Sequence, residues 1–379
     1  MVKVSVVKCD EYDDKVFSAV SKALDLIDAK EIFKPGMKVL IKPNILASTE
    51  PSKAVTTHPT VIDAICRYLI DMKIKIKLFI GESSGSAAAN GTAQAFKVCG
   101  IEAVAKKYNI EFINFDKDEH IIKENKKAVE MKNIVMSKRL SEMDLIIDAC
   151  KLKTHMLTGY TGAIKNMFGT LPGRAKVNAH SKGKKVKTFS NILLDIYSNF
   201  PPALCIMDGI IGMEGNGPSS GKIKQTGLII ASRNAVALDK VASKIIGFKN
   251  KDLEILKLAD KRNLTPKDIE IVGEKNIDIP YKKPSSYKHS YYNFIQHFIM
   301  SKLLQATFEV DKSKCKRCGY CARACPQKAI DFSKGYPQWD KKKCIMCYCC
   351  HELCPHDAII LKKTFIGKIA EKFSKRYED

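Results

Sequence analysis

Eight cysteines near the end of the chain constrain it more than any other feature. Cys315, Cys318, Cys321 and Cys325 run C-x2-C-x2-C-x3-C with Pro326 next, and Cys344, Cys347, Cys350 and Cys354 repeat the spacing with Pro355 next. Each cysteine of the second run lies 29 residues after its counterpart in the first. The short steps let three thiolates of one tight loop converge on one cubane. The fourth cysteine leaves the loop and, in two-cluster modules, ligates the other cluster. The spacing therefore predicts two [4Fe–4S] clusters, one on Cys315, Cys318, Cys321 and Cys354 and one on Cys344, Cys347, Cys350 and Cys325. A unit this small has little core of its own, so bound clusters would supply stability that burial does not. Zinc also takes C-x2-C pairs, but two runs of four cysteines that each end in Cys-Pro do not suit a zinc ribbon. Cys349 is one cysteine too many. Only Cys350 keeps the spacing, which leaves Cys349 as a packed neighbour, a spare ligand or a redox-sensitive thiol.

The repeat continues beyond the cysteines: Cys325-Pro326-Gln327-Lys328-Ala329-Ile330 matches Cys354-Pro355-His356-Asp357-Ala358-Ile359. Over about fifty residues this segment resembles the bacterial-type two-cluster ferredoxins, at all eight ligand positions. The resemblance implies a small α+β domain that transfers electrons. Free ferredoxins that shuttle between enzymes are commonly acidic, whereas residues 311–360 hold ten Lys/Arg against five Asp/Glu. That departure argues for a module wired to its own neighbouring domain or to an acidic partner.

The whole chain carries a formal charge of +23. Lysine supplies 56 of the 64 basic residues, and nucleic-acid surfaces lean on arginine for bidentate contacts. A solvated lysine surface is therefore the reading, and no nucleic-acid partner is expected; strongly salt-dependent retention on DNA would be the contrary sign. No apolar run reaches the ~18 residues of a membrane span. Residues Met1–Val7 read as a strand too short for a signal peptide's apolar region, so the cytoplasm is the expected compartment. In that reducing setting Cys9, Cys66, Cys99, Cys150 and Cys205 are expected as small buried side chains.

Residues 1–275 alternate strand-like and helix-like segments, the signature of an α/β domain with a mostly parallel sheet. Strands are expected at Val2–Lys8, Met37–Ile45, Ile74–Ile80, Ile110–Phe115, Leu145–Ala149, Leu204–Met207 and Leu228–Ala231. Helices are expected at Asp14–Ile32, His58–Asp71, Gln94–Tyr108 and Ala235–Ile246. Residues 276–310 read as a linker followed by an amphipathic helix near Tyr291–Leu304. Residues 311–361 form the two-cluster domain. Residues 362–379 form a basic amphipathic tail, read as a docking helix rather than a membrane-surface one.

Polar motifs stand where these strands are expected to end: Lys42-Pro43-Asn44, Gly81–Gly85, Lys151-Leu152-Lys153-Thr154-His155, Gly162-Ala163-Ile164-Lys165-Asn166, Asp208-Gly209 and Met213–Pro218. Ligands of open α/β sheets bind beyond the carboxyl ends of the strands, where glycines expose backbone amides and lysines hold anions. With neither G-x-G-x-x-G nor a P-loop present, no nucleotide is named. Four of them, Lys42-Pro43-Asn44, Lys151-Leu152-Lys153-Thr154-His155, Gly162-Ala163-Ile164-Lys165-Asn166 and Met213–Pro218, resemble the family known as domain of unknown function 362, often joined to a two-cluster ferredoxin segment. The resemblance implies an iron–sulfur protein with an α/β domain and supplies no reaction. From the residues themselves, Lys153 and Lys165 are the candidate anion contacts, His155 a candidate general acid, and Asp208 and Glu214 the candidate carboxylates. The basic stretch Arg174–Lys187 reads as a solvated loop, or as one that closes over an anionic substrate.

The leading expectation is an iron–sulfur protein that relays single electrons between its clusters and a redox site on the α/β domain, as an oxidoreductase or a subunit of one. Its partners would be a redox protein or a small anionic substrate. The alternative is a non-enzymatic ferredoxin whose large domain docks a partner oxidoreductase. Both require iron. Anaerobically purified protein is expected to hold about eight irons per chain; zinc in their place, or fewer than about half that number, would contradict the ligand assignment.

Overall fold

The computed structural model describes residues 1–85, 90–287 and 307–362. The expected helix Tyr291–Leu304 and the tail beyond residue 362 lie outside the described residues. Among those described, no helix is long and apolar enough to cross a membrane.

One large sheet organises the chain. Its strands are β1 (Val2–Lys8), β2 (Lys38–Pro43), β3 (Lys77–Glu82), β4 (Glu111–Asn114), then, after a separate hairpin of β5 (His120–Glu124) and β6 (Asn133–Ser137), β7 (Leu145–His155), β8 (Gly159–Thr161), β9 (Leu204–Glu214), β10 (Lys222–Ser232) and β11 (Ile269–Gly273). The order is β11-β1-β10-β9-β7-β2-β3-β4, with β8 folded back on β7. Pairings β11/β1, β9/β7, β7/β2, β2/β3 and β3/β4 are parallel; β1/β10, β10/β9 and β7/β8 are antiparallel. The sheet is thus mostly parallel and the large domain is α/β.

Period-two alternation gives each strand two faces to bury. Val39 and Ile41 of β2 pack with Ile147, Ile206 and the helices Lys15–Asp25 and Pro59–Asp71. Leu40 points the other way, into a core with Ile146, Ile192 and Leu193 of the helix Val186–Asn199 and Val236 of the helix Ala235–Ile245. Helices on both faces leave the central strand β7 buried along its whole length.

Local backbone chemistry ends several elements earlier than hydropathy suggests. The first helix stops at Asp25, with Asp28 in the left-handed region at φ 55°. The stretch Gln94–Tyr108 is two helices, Gly91–Val98 and Ile101–Lys107, divided by Gly100 at φ 77°. The second long helix begins at Pro59, where His58 Nδ1 accepts from the Thr60 N–H at 3.3 Å and the proline loses no hydrogen bond. Arg174–Lys187 is not a loop: it is the helix Gly173–Lys182, which buries Ala175, Lys176 and Ala179, followed by a short turn into Val186–Asn199.

The cysteine-rich module is small. Strand β12 (Thr307–Val310) pairs antiparallel with β15 (Ile359–Lys362), and β13 (Ile330–Asp331) with β14 (Gln338–Trp339). Its two halves share a backbone. The short helices Tyr320–Arg323 and Cys349–Glu352 correspond, and positive φ recurs 29 residues apart at Arg317 and Met346, Gly319 and Tyr348, and Lys328 and Asp357.

A buried carboxylate ties the β5–β6 connection to the helical layer. Asp195 accepts from the N–H groups of Val129, Glu130 and Met131 at 3.0, 2.7 and 2.8 Å and pairs with Arg262 at 2.8 Å. Asp195→Ala strands those donors and the guanidinium, and is expected to destabilise the fold by about 3–5 kcal/mol. A lowered urea midpoint at unchanged slope would report it; an unmoved midpoint would contradict it.

Candidate functional site

Lysines are buried where the central strands end, and each meets a defined partner. Lys42, at the end of β2, pairs with Glu82, at the end of β3, at 2.7 Å; both are inaccessible to solvent. The pair is packed so tightly under Gly169 that a β-carbon there would run into Glu82 and Lys42. Lys151 pairs with Asp208 at 2.7 Å, and the Tyr12 hydroxyl and the His58 N–H donate to the same carboxylate at 2.8 and 2.9 Å. Lys153 donates to Asn44 Oδ1 at 2.8 Å and to the Val55 carbonyl at 2.7 Å. Asp148, within β7, accepts from Asn166 Nδ2 at 2.5 Å.

The expected strand-end loop Lys151–His155 is therefore part of β7, and Asp208 and Glu214 belong to β9. Lys153, His155 and Lys165 come together. Asp208 belongs to the separate Lys151 group, and Glu214 accepts from the Lys282 N–H at 2.9 Å, away from them.

What joins Lys153, His155 and Lys165 is a residue of the cysteine-rich module. Glu352, the last residue of the helix Cys349–Glu352, is buried in the large domain, with Oε1 3.5 Å from His155 Nε2. Burial raises its carboxyl to about 7, against the pull of Lys165 and then Lys153. His155 Nδ1 accepts from the N–H groups of Leu157 and Thr158 at 3.0 and 3.3 Å, and burial, with Lys165 adding to it, holds the ring well below its ordinary value. His155 is thus neutral, with its proton on Nε2. Three hydrogen bonds fix the docking around this point: Ser219 Oγ to the Glu352 carbonyl (2.7 Å), Ser220 Oγ to Asp357 (2.9 Å) and Gln327 Nε2 to Ser181 (2.6 Å).

A cavity of about 690 Å³ opens beside this contact. The large domain contributes Asn44, Glu82–Gly85, Lys165, Phe168 and the helix Gly173–Lys182; the module contributes Arg323, Ala324, Pro326, Cys349, Glu352 and Leu353. Cys349 is buried and packs on this wall. The five scattered cysteines are all buried.

The remaining cysteines suit cubane clusters. The Cys321 thiol, pushed up to about 11 chiefly by burial, has Cys354 and Cys318 as neighbours, and Cys344, also raised chiefly by burial, has Cys347 and Cys325. In each half the fourth sulfur accepts a backbone N–H, Ala329 to Cys325 at 3.2 Å and Ala358 to Cys354 at 3.3 Å, which suits a thiolate. Among the described residues no three ligating side chains converge on a single ion. A cubane, whose irons each take one thiolate, does not require that.

Residues 39–244 match the family described as Domain of unknown function (DUF362), and residues 308–331 and 337–360 each match the 4Fe-4S binding domain. The chain belongs to the DUF362 family. It is a DUF362 protein with a C-terminal iron–sulfur module of two 4Fe-4S binding motifs. Over 320 residues it is 26% identical to the thylakoid-associated protein sll1697 of Synechocystis, covering 78% of this chain and 97% of that protein. Among solved structures it is similar to the lactate racemase apoprotein of Thermoanaerobacterium thermosaccharolyticum, at 14% identity and a TM-score of 0.42, over 65% of this chain and 57% of that one.

Sequence reasoning on this DUF362 chain missed Glu352. Its signal was faint: an acidic residue in a lysine-rich module, at the repeat position where the first half has Arg323. It also missed Asp148, whose carboxyl burial lifts to about 8 against Lys42 and Asn166. The folded chain holds a proton there that the unfolded chain releases above its ordinary 3.8. Folded protein thus binds more protons in that window, so the group's contribution is full below the unfolded value and is lost as pH rises to about 8. Asp148→Asn is expected to flatten this part of the stability–pH curve; an unchanged slope would contradict it.

Proposed function

We propose that the chain is an iron–sulfur electron-transfer protein whose two [4Fe–4S] clusters link an external redox partner to a small-molecule redox site in the cavity between module and sheet. Bound clusters of this kind supply one-electron transfer at potentials set by charge, hydrogen bonds and exposure. Cys315, Cys318, Cys321 and Cys354 would hold one, and Cys344, Cys347, Cys350 and Cys325 the other. The observation that carries the reading is Glu352, buried among Lys153, Lys165 and His155 beside a cavity both parts line.

The residues divide the work. Cys318 is exposed, and Lys314, Lys316 and Arg317 around it are exposed cations, the surface a negatively charged partner protein would meet. Ala324, Pro326 and Cys349 line the cavity wall. Lys165 offers an anion contact there, and the buried Lys42–Glu82 pair holds the strand ends rigid beneath it. The proposed compartment is the cytoplasm, where thiols remain reduced.

The test separates this reading from a carrier whose large domain merely docks an enzyme. The anaerobic protein, reduced and freed of reductant, is mixed with a deproteinised metabolite extract while its visible cluster absorbance is followed. The redox-site reading expects reoxidation by a small molecule alone, slowed at least about tenfold by Glu352→Ala as docking loosens. Protein that stays reduced until a second protein is added would make it a carrier.

A further inference from the structure

The cavity wall carries an ammonium group with no hydrogen-bond partner among the described residues. Lys165 lies on the short helix Ala163–Asn166, half-buried, and its N–H donors have no protein acceptor among the described residues. Its neighbours differ: Lys153 donates to Asn44 and Val55, and Lys176 to Ser83 and Ser84. Thr161 lines the same cavity, and its hydroxyl too has no protein partner among the described residues.

The charge balance points the same way. Glu352 is the carboxylate neighbour of both Lys153 and Lys165, and Arg174 and Arg323 line the same cavity, so its charged groups suit an anion. Phosphate commonly binds at such places through the amides of a helix N-terminus. Here those amides are taken, because Asp239 accepts from the N–H groups of Ala163 at 2.7 Å and Ile164 at 3.0 Å. One ammonium and one hydroxyl match the two oxygens of a carboxylate. A volume of about 690 Å³ leaves room for an organic body.

We propose that this cavity binds a small organic monocarboxylate, with its carboxylate on Lys165 and Thr161 and its body against Leu46, Phe168 and Leu353. The inference rests on the reading of this cavity as the place where the electron is used, and it names the class of molecule that meets it.

Calorimetric titration of the cluster-loaded full chain, under anaerobic conditions, tests it with three sets of probes: short aliphatic and aromatic monocarboxylates, their neutral amides, and inorganic phosphate. At least one carboxylate is expected to bind more tightly than its amide and than phosphate. Lys165→Gln is expected to weaken it about ten- to a hundredfold, while Lys165→Arg retains most of the affinity. Thr161→Val, expected to weaken binding about tenfold, serves if Lys165→Gln melts at a lower temperature than the parent. The inference is overturned if no carboxylate binds, if amide or phosphate binds as tightly, or if the folded variants bind as the parent does. Protein whose cluster absorbance bleaches and recovers, yet binds no carboxylate, refutes this inference alone. Protein that binds carboxylate through Lys165 but holds no clusters refutes the electron-transfer reading alone.

Discussion

The fold turns on where buried lysines find their counter-charges. An unpaired ammonium in a dry interior costs several kcal/mol, so each such lysine dictates what lies beside it. Lys42 is met by Glu82 and Lys151 by Asp208, both from neighbouring strands of the sheet. Lys153 and Lys165 form no ion pair among the described residues; the carboxylate whose charge reaches both is Glu352, in the cysteine-rich module almost two hundred residues further along the chain. Glu352 thus adds charge attraction to the hydrogen bonds of Ser219, Ser220 and Gln327 that dock the module, and withdrawing it would open the cavity that Lys165 borders.

This arrangement breaks the symmetry of the module. Its halves repeat the same backbone, down to left-handed residues and N–H donors to sulfur at matching positions. They diverge at Arg323 and Glu352: the arginine is exposed at the cavity rim, whereas the glutamate is buried against the sheet. A duplicated cysteine loop is in this way given two unlike sides. One has the exposed Cys318 among lysines, and the other has Cys349 against the large domain.

The ligand cysteines were legible because their spacing is a matter of covalent reach, which the sequence displays directly. The alternation that marks an α/β domain was legible for the same kind of reason, since hydrophobic period follows backbone geometry. The strand β7 was read only to Ala149, because Lys151, Lys153 and His155 look like a solvated loop. They continue the strand because each is buried with a partner from a distant segment, and hydropathy has no way to register a partner. The same blindness turned the helix Gly173–Lys182, with its buried Lys176, into a supposed loop. Asp208 and Glu214 were visible as carboxylates, but Tyr12, His58 and the Lys282 amide that occupy them were not. Glu352 required the interface itself.

The proposed electron path implies that the cluster assigned to Cys344, Cys347, Cys350 and Cys325, beside Cys349 and Pro326 on the cavity wall, lies nearer Lys165 than the other cluster does. A potentiometric titration of anaerobic Lys165→Gln against the parent, followed by electron paramagnetic resonance, tests it most directly. Removing a positive charge near one cluster disfavours its reduction, so one midpoint potential is expected to fall by on the order of tens of millivolts while the other stays in place. Two unmoved midpoints, or an equal shift in both, would contradict the account.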